Sequence, residues 1–345
     1  MKYNSKTKLI FNLLILVLIF GMMAYLLQNS LAETLNEISQ TTPLVLFLIL
    51  LLASCSLFFE GKGIQAIVQA LPVTFTSFSG ILTIVYSSFY RLVTFGAGTF
   101  ISEINFYRKK NLKLSQGLGV TALHLVVYKL CVITLAFSCL AVETPRLMQL
   151  YPTLIMLVIF GGILSLFVVG TILLVTISLK LQVGLVRLCH RCLKSVQLRE
   201  YVDRLNLQIY SLRDVVAQVL GDKTSWLKIL VWHGLKFVAW FSIPYVTLVA
   251  DHPDLNYLFS FALVGFAVLL ASVIPTPAGL GSFEFMFLLL FKPIVGTVDA
   301  VSAMLLYRLA TLVWPFFLGF IYVLIEKRQV IGEEIQEIRN EKKHN

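Results

Sequence analysis

The amino-acid sequence predicts an all-α helix bundle embedded in a membrane, with about seven or eight spanning helices and two further elements that are broken or re-entrant. Three observations predict it. Of 345 residues, 58% are hydrophobic and only 13% charged, against roughly 25% charged in soluble domains. The apolar residues fall in continuous runs, most of them near the ~20 residues that carry a helix across a ~30 Å hydrocarbon core. Nor do those runs show the ten-residue alternation of a membrane β-barrel.

Taken in order, the first run is Leu9 to Leu27, uncharged and preceded by Lys2, Lys6 and Lys8. Its length, and the lack of a small-residue cleavage site after it, predict a retained helix and not a removed signal peptide. Pro43 to Phe59 is the second span. Pro72 to Tyr90 can cross next, but Thr94 to Tyr107 gives only about 21 Å of helix at 1.5 Å per residue. With Gly96 and Gly98 near its start, that segment is expected to be broken or re-entrant. Gly117 to Leu140 pairs with Thr153 to Leu179, and Ile229 to Val249 with Tyr257 to Ile274. Pro275 to Phe291 opens with two prolines and two glycines before a short apolar stretch, which predicts a second broken element. Ala300 to Ile325 crosses last, interrupted by Arg308, so residues 1–325 form one transmembrane domain and 326–345 a charged cytoplasmic tail.

The formal charge of +10 sits beside the apolar runs, where the positive-inside rule explains it without a nucleic-acid partner. Lys2 to Lys8, Arg108 to Lys113, residues 180–228 and Lys327 to Arg328 are placed on the cytoplasmic side. Glu33, Glu37, Glu143, Asp251 and Asp254 mark outer loops. Both termini then face the cytoplasm, and the chain belongs in the cytoplasmic membrane. Residues 180–228 carry nine basic against four acidic side chains, a net of +5. Two readings stand for them: an amphipathic helix on an anionic leaflet, or a solvated loop.

The five cysteines, Cys55, Cys131, Cys139, Cys189 and Cys192, form no disulfide framework, since most lie inside predicted helices. Cys189 and Cys192, with His190 between them, lack the second pair that a four-ligand zinc site needs. No metal and no cofactor is expected.

Irregular backbone at membrane depth is tolerated only where protein or a water-filled cavity satisfies its polar groups. The two broken elements should therefore meet inside the bundle. Their sequences are alike: Thr94-Phe-Gly-Ala-Gly-Thr-Phe-Ile-Ser-Glu103 and Thr276-Pro-Ala-Gly-Leu-Gly-Ser-Phe-Glu284. The first follows an outward-going helix and the second an inward-going one, as in an inverted repeat with substrate between paired broken helices. Chance likeness of two glycine-rich turns is the other reading.

The segment Pro275-Thr-Pro-Ala-Gly-Leu-Gly-Ser-Phe-Glu284 and its apolar continuation, followed by Met304-Leu-Leu-Tyr-Arg-Leu309, resembles the signature of the lysylphosphatidylglycerol synthase/flippase transmembrane family. So does Thr94-Phe-Gly-Ala-Gly98 before Glu103, with Arg108-Lys-Lys following. The resemblance covers essentially the whole chain. Three positions depart from the family pattern: Ala278 stands for a usual glycine, Tyr307 for a usual tryptophan, and Thr99 where a second glycine is common. Such resemblance implies a flippase-like translocase of phospholipid, aminoacylated lipid or polyprenyl or glycolipid headgroups. The soluble aminoacyl-transferring part of two-part relatives is expected to be missing, since only 20 residues follow Ile325. Alternatives are a membrane-bound transferase or an accessory subunit that recruits a separate synthase. No His/Asp, Cys/His or paired-carboxylate pattern with catalytic spacing supports the transferase.

Ionisable side chains inside a bilayer cost on the order of 2.5–3.5 kcal/mol each on insertion scales, which makes them functional candidates. A helix N-terminus after each glycine turn suits a phosphate headgroup, and Arg308 adds a guanidinium that grips phosphate in two places. The substrate-binding or gating candidates are Thr94, Gly96, Gly98, Glu103, Pro275, Pro277, Gly279, Gly281, Glu284 and Arg308, with Arg91, Lys129, His233 and Lys236 as weaker ones. Membrane lipids with anionic or phosphate-bearing headgroups are the expected partners. Against this stands the structural reading, in which Glu284 or Glu103 pairs with Arg308 to hold the bundle. Arg91 is then a snorkelling residue, and each His a packed one. His233 and Lys236 share a helix face, whereas His124 and Lys129, five apart, do not.

Overall fold

A computed structural model describes residues 37, 39–177, isolated positions between 183 and 219, and residues 221–274, 276 and 280–344. The expected first helix (9–27), most of the basic segment with Cys189 and Cys192, and Pro275, Pro277 and Gly279 of the second motif lie outside the described residues.

Every regular element among the described residues is helical. In chain order they are α1 (Pro43–Val68), α2 (Ser77–Val93), α3 (Gly98–Lys109), α4 (Leu114–Leu150), α5 (Pro152–Ile177), α6 (Lys223–Leu248), α7 (Tyr257–Ala271), α8 (Ser282–Val295), α9 (Thr297–Arg308), a π-helical turn (Leu309–Val313) and α10 (Trp314–His344). Among the described residues, five helical stretches are long and apolar enough to cross a membrane: α1, α4, α5, α6 and the run from α9 into α10. The shorter α7 is also apolar throughout.

Local chemistry sets several starts. Proline opens α1, where its missing N–H is no loss. The Thr76 hydroxyl accepts the Ser79 N–H at 3.2 Å to begin α2, and Asn256 accepts the Phe259 N–H at 3.1 Å to begin α7. Asp222 does the same for α6, taking the Thr224 N–H at 3.0 Å.

Two boundaries differ from the sequence reading, and the last helix extends into the tail. α1 continues past Phe59 to Val68 and carries Glu60, 6% exposed, into the helix. α4 runs to Leu150, so Glu143 is a buried helical residue beside Arg146 (3.3 Å) and not part of a loop. α10 continues without interruption from the apolar span into the charged tail. In the first two cases a charge stays in the helix because a partner side chain meets it.

α1 packs most extensively against α6, and α2 lies against both α1 and α10. Glycine sets the closest approach, since a Cβ on Gly80 of α2 would stand 2.2 Å from the Gly61 carbonyl oxygen of α1. Small residues allow this backbone contact where lipid supplies no hydrophobic drive between helices. On the periphery, α5 leaves Met156, Phe160 and Phe167 largely exposed, a surface suited to acyl chains. An ion pair joins Lys109, at the end of α3, to Glu326 of α10. Elsewhere Arg146, Asp251 and Asp254 line a cavity of about 460 Å3.

Candidate functional site

The first glycine segment interrupts α2 and α3. Thr94 Oγ1 accepts the Gly98 N–H at 2.6 Å and donates to the Tyr90 carbonyl at 2.6 Å. One hydroxyl thus bridges the end of one helix and the start of the next. Between them the chain reverses through Phe95 at φ 52° and Gly96 at φ 94°. A non-glycine residue in the left-handed region is held there at a strain of order 1–3 kcal/mol, and such strain concentrates at working parts of proteins.

The second segment precedes α8. Gly281 adopts φ 88°, and Glu284, in the first turn of α8, reaches back to accept the Gly281 N–H at 2.7 Å. Its other oxygen accepts from Arg308 Nε at 2.6 Å, and the Arg308 guanidinium lies 4.6 Å over the Phe283 ring. Thr276 and Ser282 share a hydroxyl hydrogen bond of 2.9 Å across the turn.

Both segments border one cavity of about 470 Å3, within the range of small-molecule sites. Phe95, Gly96 and Glu103 line it from the first segment and Thr276 from the second, while Ser87 and Ser88 of α2 add hydroxyls. Its ionisable lining is Glu60, Arg91, Glu103, His124 and Lys236. A neighbouring space of about 170 Å3 shares Arg91, Tyr128, Trp240 and Thr311 with it and adds Ser282 and Arg308. Arg91 therefore stands at the junction between the two.

These groups divide into those held in ion pairs and those with an unsatisfied buried atom. Glu60 Oε1 accepts from Lys236 Nζ at 2.5 Å and stands 3.2 Å from His124 Nε2. Lys236, 1% exposed, also faces the Trp240 ring at 4.4 Å and the Tyr128 ring at 4.8 Å. An ammonium this deep needs such a partner and such rings. Glu103, 8% exposed, has an Oε2 with no hydrogen-bond partner, and Arg91 Nε is likewise unsatisfied.

The remaining sequence candidates fall into place around this cavity. Thr94, Gly98 and Gly281 shape the turns. Arg308 pairs with Glu284 and not with Glu103. Arg91, instead of snorkelling, lines both spaces. His233 is fully buried, its Nδ1 2.9 Å from the Ile229 carbonyl, with its ring where a Cβ on Gly63 would be; it packs α6 against α1. Lys129 turns away from the cavity and donates to the Ser272 carbonyl at 3.3 Å. Pro275, Pro277 and Gly279 lie outside the described residues.

Glu60 escaped the sequence reading, which ended the second span at the first charge. The signal was present: Glu60-Gly-Lys-Gly63 is followed by Ile64 to Val68, an apolar stretch that resumes the helix. Among the described residues, no three His, Cys, Asp or Glu side chains gather in a group able to hold a metal ion.

Comparison with known proteins agrees with this architecture. Against curated protein sequences the chain finds no match. The sequence model of the family described as "Lysylphosphatidylglycerol synthase TM region", a family of membrane proteins concerned with lipid modification or translocation, matches residues 9–319. That match takes in both glycine segments, the charged cavity and the Glu284–Arg308 pair, and so this chain belongs to the lysylphosphatidylglycerol synthase transmembrane-region family.

Proposed function

We propose that the protein is a flippase-like translocase that moves a lipid with a phosphate-bearing headgroup across the cytoplasmic membrane, both its termini lying on the cytoplasmic side. The observation that carries this reading is the shared cavity: two broken helices border one space into which five ionisable side chains are gathered, among helices whose outer surfaces suit lipid. A headgroup crossing a bilayer needs such a space, because phosphate without partners cannot enter hydrocarbon. Arg91 and Arg308 supply guanidinium groups to the smaller space, and planar guanidinium is suited to bidentate phosphate contact. Acyl chains remain in the surrounding lipid during transit. The turns at Gly96 and Gly281 are the positions where backbone can move without breaking a continuous helix ladder.

The test is movement of acyl-labelled phospholipids, aminoacylated lipids and polyprenyl-linked lipids across proteoliposomes, comparing the wild-type chain with Arg91→Ala and Glu284→Gln. Movement that requires the protein and is lost in folded variants supports the translocase. If no lipid moves, with or without an ion gradient, the reading fails and a transferase or accessory role takes its place.

A further inference from the structure

One carboxylate oxygen serves two basic side chains. Glu60 Oε1 accepts from Lys236 Nζ at 2.5 Å and also lies 3.2 Å from His124 Nε2. Both basic side chains line the 470 Å3 cavity, so what enters it can reach either. The His124 ring in turn lies beside that of His233, with centroids 5.3 Å apart. His233 Nδ1 donates to the Ile229 carbonyl at 2.9 Å, which in the neutral ring leaves Nε2 an acceptor. That Nε2 is buried without a hydrogen-bond partner, and a native fold rarely leaves such an atom without a reason. Neutral His124 offers one N–H, which Glu60 takes. An imidazolium offers two, and the bare nitrogen of the neighbouring ring is an acceptor for the second.

The titratable and charged groups around His124 are Glu60 of α1, Arg91 of α2, Glu103 of α3 and Lys236 and His233 of α6, with Tyr128 one turn further along α4. Lys129 is turned away to the Ser272 carbonyl, and α5 and α7, which also pack on α4, carry no charged residue. A phosphate that enters the cavity draws on its cations, and each contact it makes with Lys236 weakens the hold of that ammonium on Glu60. Glu60 is then a buried carboxylate short of a counter-ion, which is costly.

We propose that Glu60 exchanges counter-ions when the cavity fills: Lys236 turns to the phosphate, His124 takes up one proton from cavity water and replaces Lys236 at Glu60, and His233 Nε2 accepts the second N–H of the imidazolium. The cluster is thus a proton-binding site linked to phosphate binding. This rests on the reading of the cavity as a site for a phosphate-bearing headgroup and adds the proton to it. The Tyr128 and Trp240 rings, 4.8 and 4.4 Å from Lys236 Nζ, give the ammonium a surface to move along. When the phosphate leaves, Lys236 returns to Glu60 and the proton to the water it came from.

The experiment uses the full chain in detergent and dihexanoyl phosphatidylglycerol, whose phosphodiester stays singly charged near neutral pH. Calorimetry in two buffers of different ionisation enthalpy counts the protons taken up per ligand bound. The wild type should take up about one proton where His124 is neutral in the empty protein, and its affinity should weaken about tenfold per pH unit as the solution becomes more alkaline. His124→Gln still donates to Glu60 but takes no proton, so it should bind without uptake and with an affinity flat in pH. His233→Phe keeps the ring against Gly63 and removes the acceptor, and should cut the uptake at near-neutral pH to about half or less. Wild-type binding without uptake, uptake that survives in His124→Gln, or no binding of the lipid at all overturns the proposal. Should His124→Gln fail to fold, the wild-type proton count decides alone. Lipid movement in proteoliposomes, with no proton taken up on binding, leaves the translocase reading and removes this one. Proton-linked binding without movement does the reverse.

Discussion

The two glycine segments start from similar sequences and put their glutamates to different uses. In the second, only two residues separate Gly281 from Glu284, so the carboxylate falls in the first helical turn and closes back on the Gly281 N–H while also holding Arg308. In the first, four residues separate Gly98 from Glu103. The carboxylate there lies more than a turn into α3 and cannot reach the turn amides, which Thr94 satisfies in its place. A two-residue difference in spacing converts a structural acid into one that faces the cavity.

That contrast can be broken most severely from beneath both turns. Lys236→Met leaves the Glu60 carboxylate buried with His124 alone, and should destabilise the protein by about 3–5 kcal/mol, read as a large fall in thermal unfolding midpoint in detergent. Glu60→Leu combined with Lys236→Met should recover most of that loss, as replacing a whole buried pair usually does. Next in size, Arg308→Ala should lower stability by about 2 kcal/mol, less than a fully buried pair because both side chains keep some exposure. A fall as large as that of Lys236→Met would mean that the second turn, and not the Glu60 pair, holds the bundle.

Smaller effects separate the turns themselves. Gly281→Ala meets no atom within 4 Å, so only its φ of 88° resists the substitution, at about 1–2 kcal/mol. Thr94→Ala removes the bridge to Gly98 and should cost about 1 kcal/mol, as loss of a helix cap does. Glu103→Gln should be the mildest, within about 0.5 kcal/mol in either direction, because its Oε2 has no hydrogen-bond partner in the fold and it makes no ion pair like those of Glu60 and Glu284. If it destabilised the chain as much as Arg308→Ala, Glu103 would be a structural acid after all, and the contrast between the segments would collapse.

The fold class was legible in the sequence because long uncharged runs leave few alternatives to spanning helices. The breaks were legible as well, from the shortness of residues 94–107 and the glycines that open them. What escaped was decided by partners distant in sequence. Glu60 looked like the end of a span because its counter-ion lies on α6, and Glu143 looked like a loop residue because α4 had no visible reason to continue. Arg91 looked like an interfacial anchor because no local pattern reveals a cavity. Nothing in Leu309 to Val313 signals the π-helical turn, which follows directly on Arg308, where such turns are often found near working residues.

One consequence of the cavity's charge inventory concerns voltage. Its walls carry two acidic side chains, Glu60 and Glu103, and two basic ones, Arg91 and Lys236, so the formal charges of these four sum to zero. A membrane potential acts with about 2.3 kcal/mol per elementary charge per 100 mV, and on a balanced cavity it does no net work. A zwitterionic cargo keeps that balance during transit, whereas an anion would be driven or opposed by the field. Passage of a zwitterionic cargo should therefore proceed at the same rate in polarised and depolarised vesicles, and that of an anionic one should not, which makes the response to voltage an electrical signature of the headgroup.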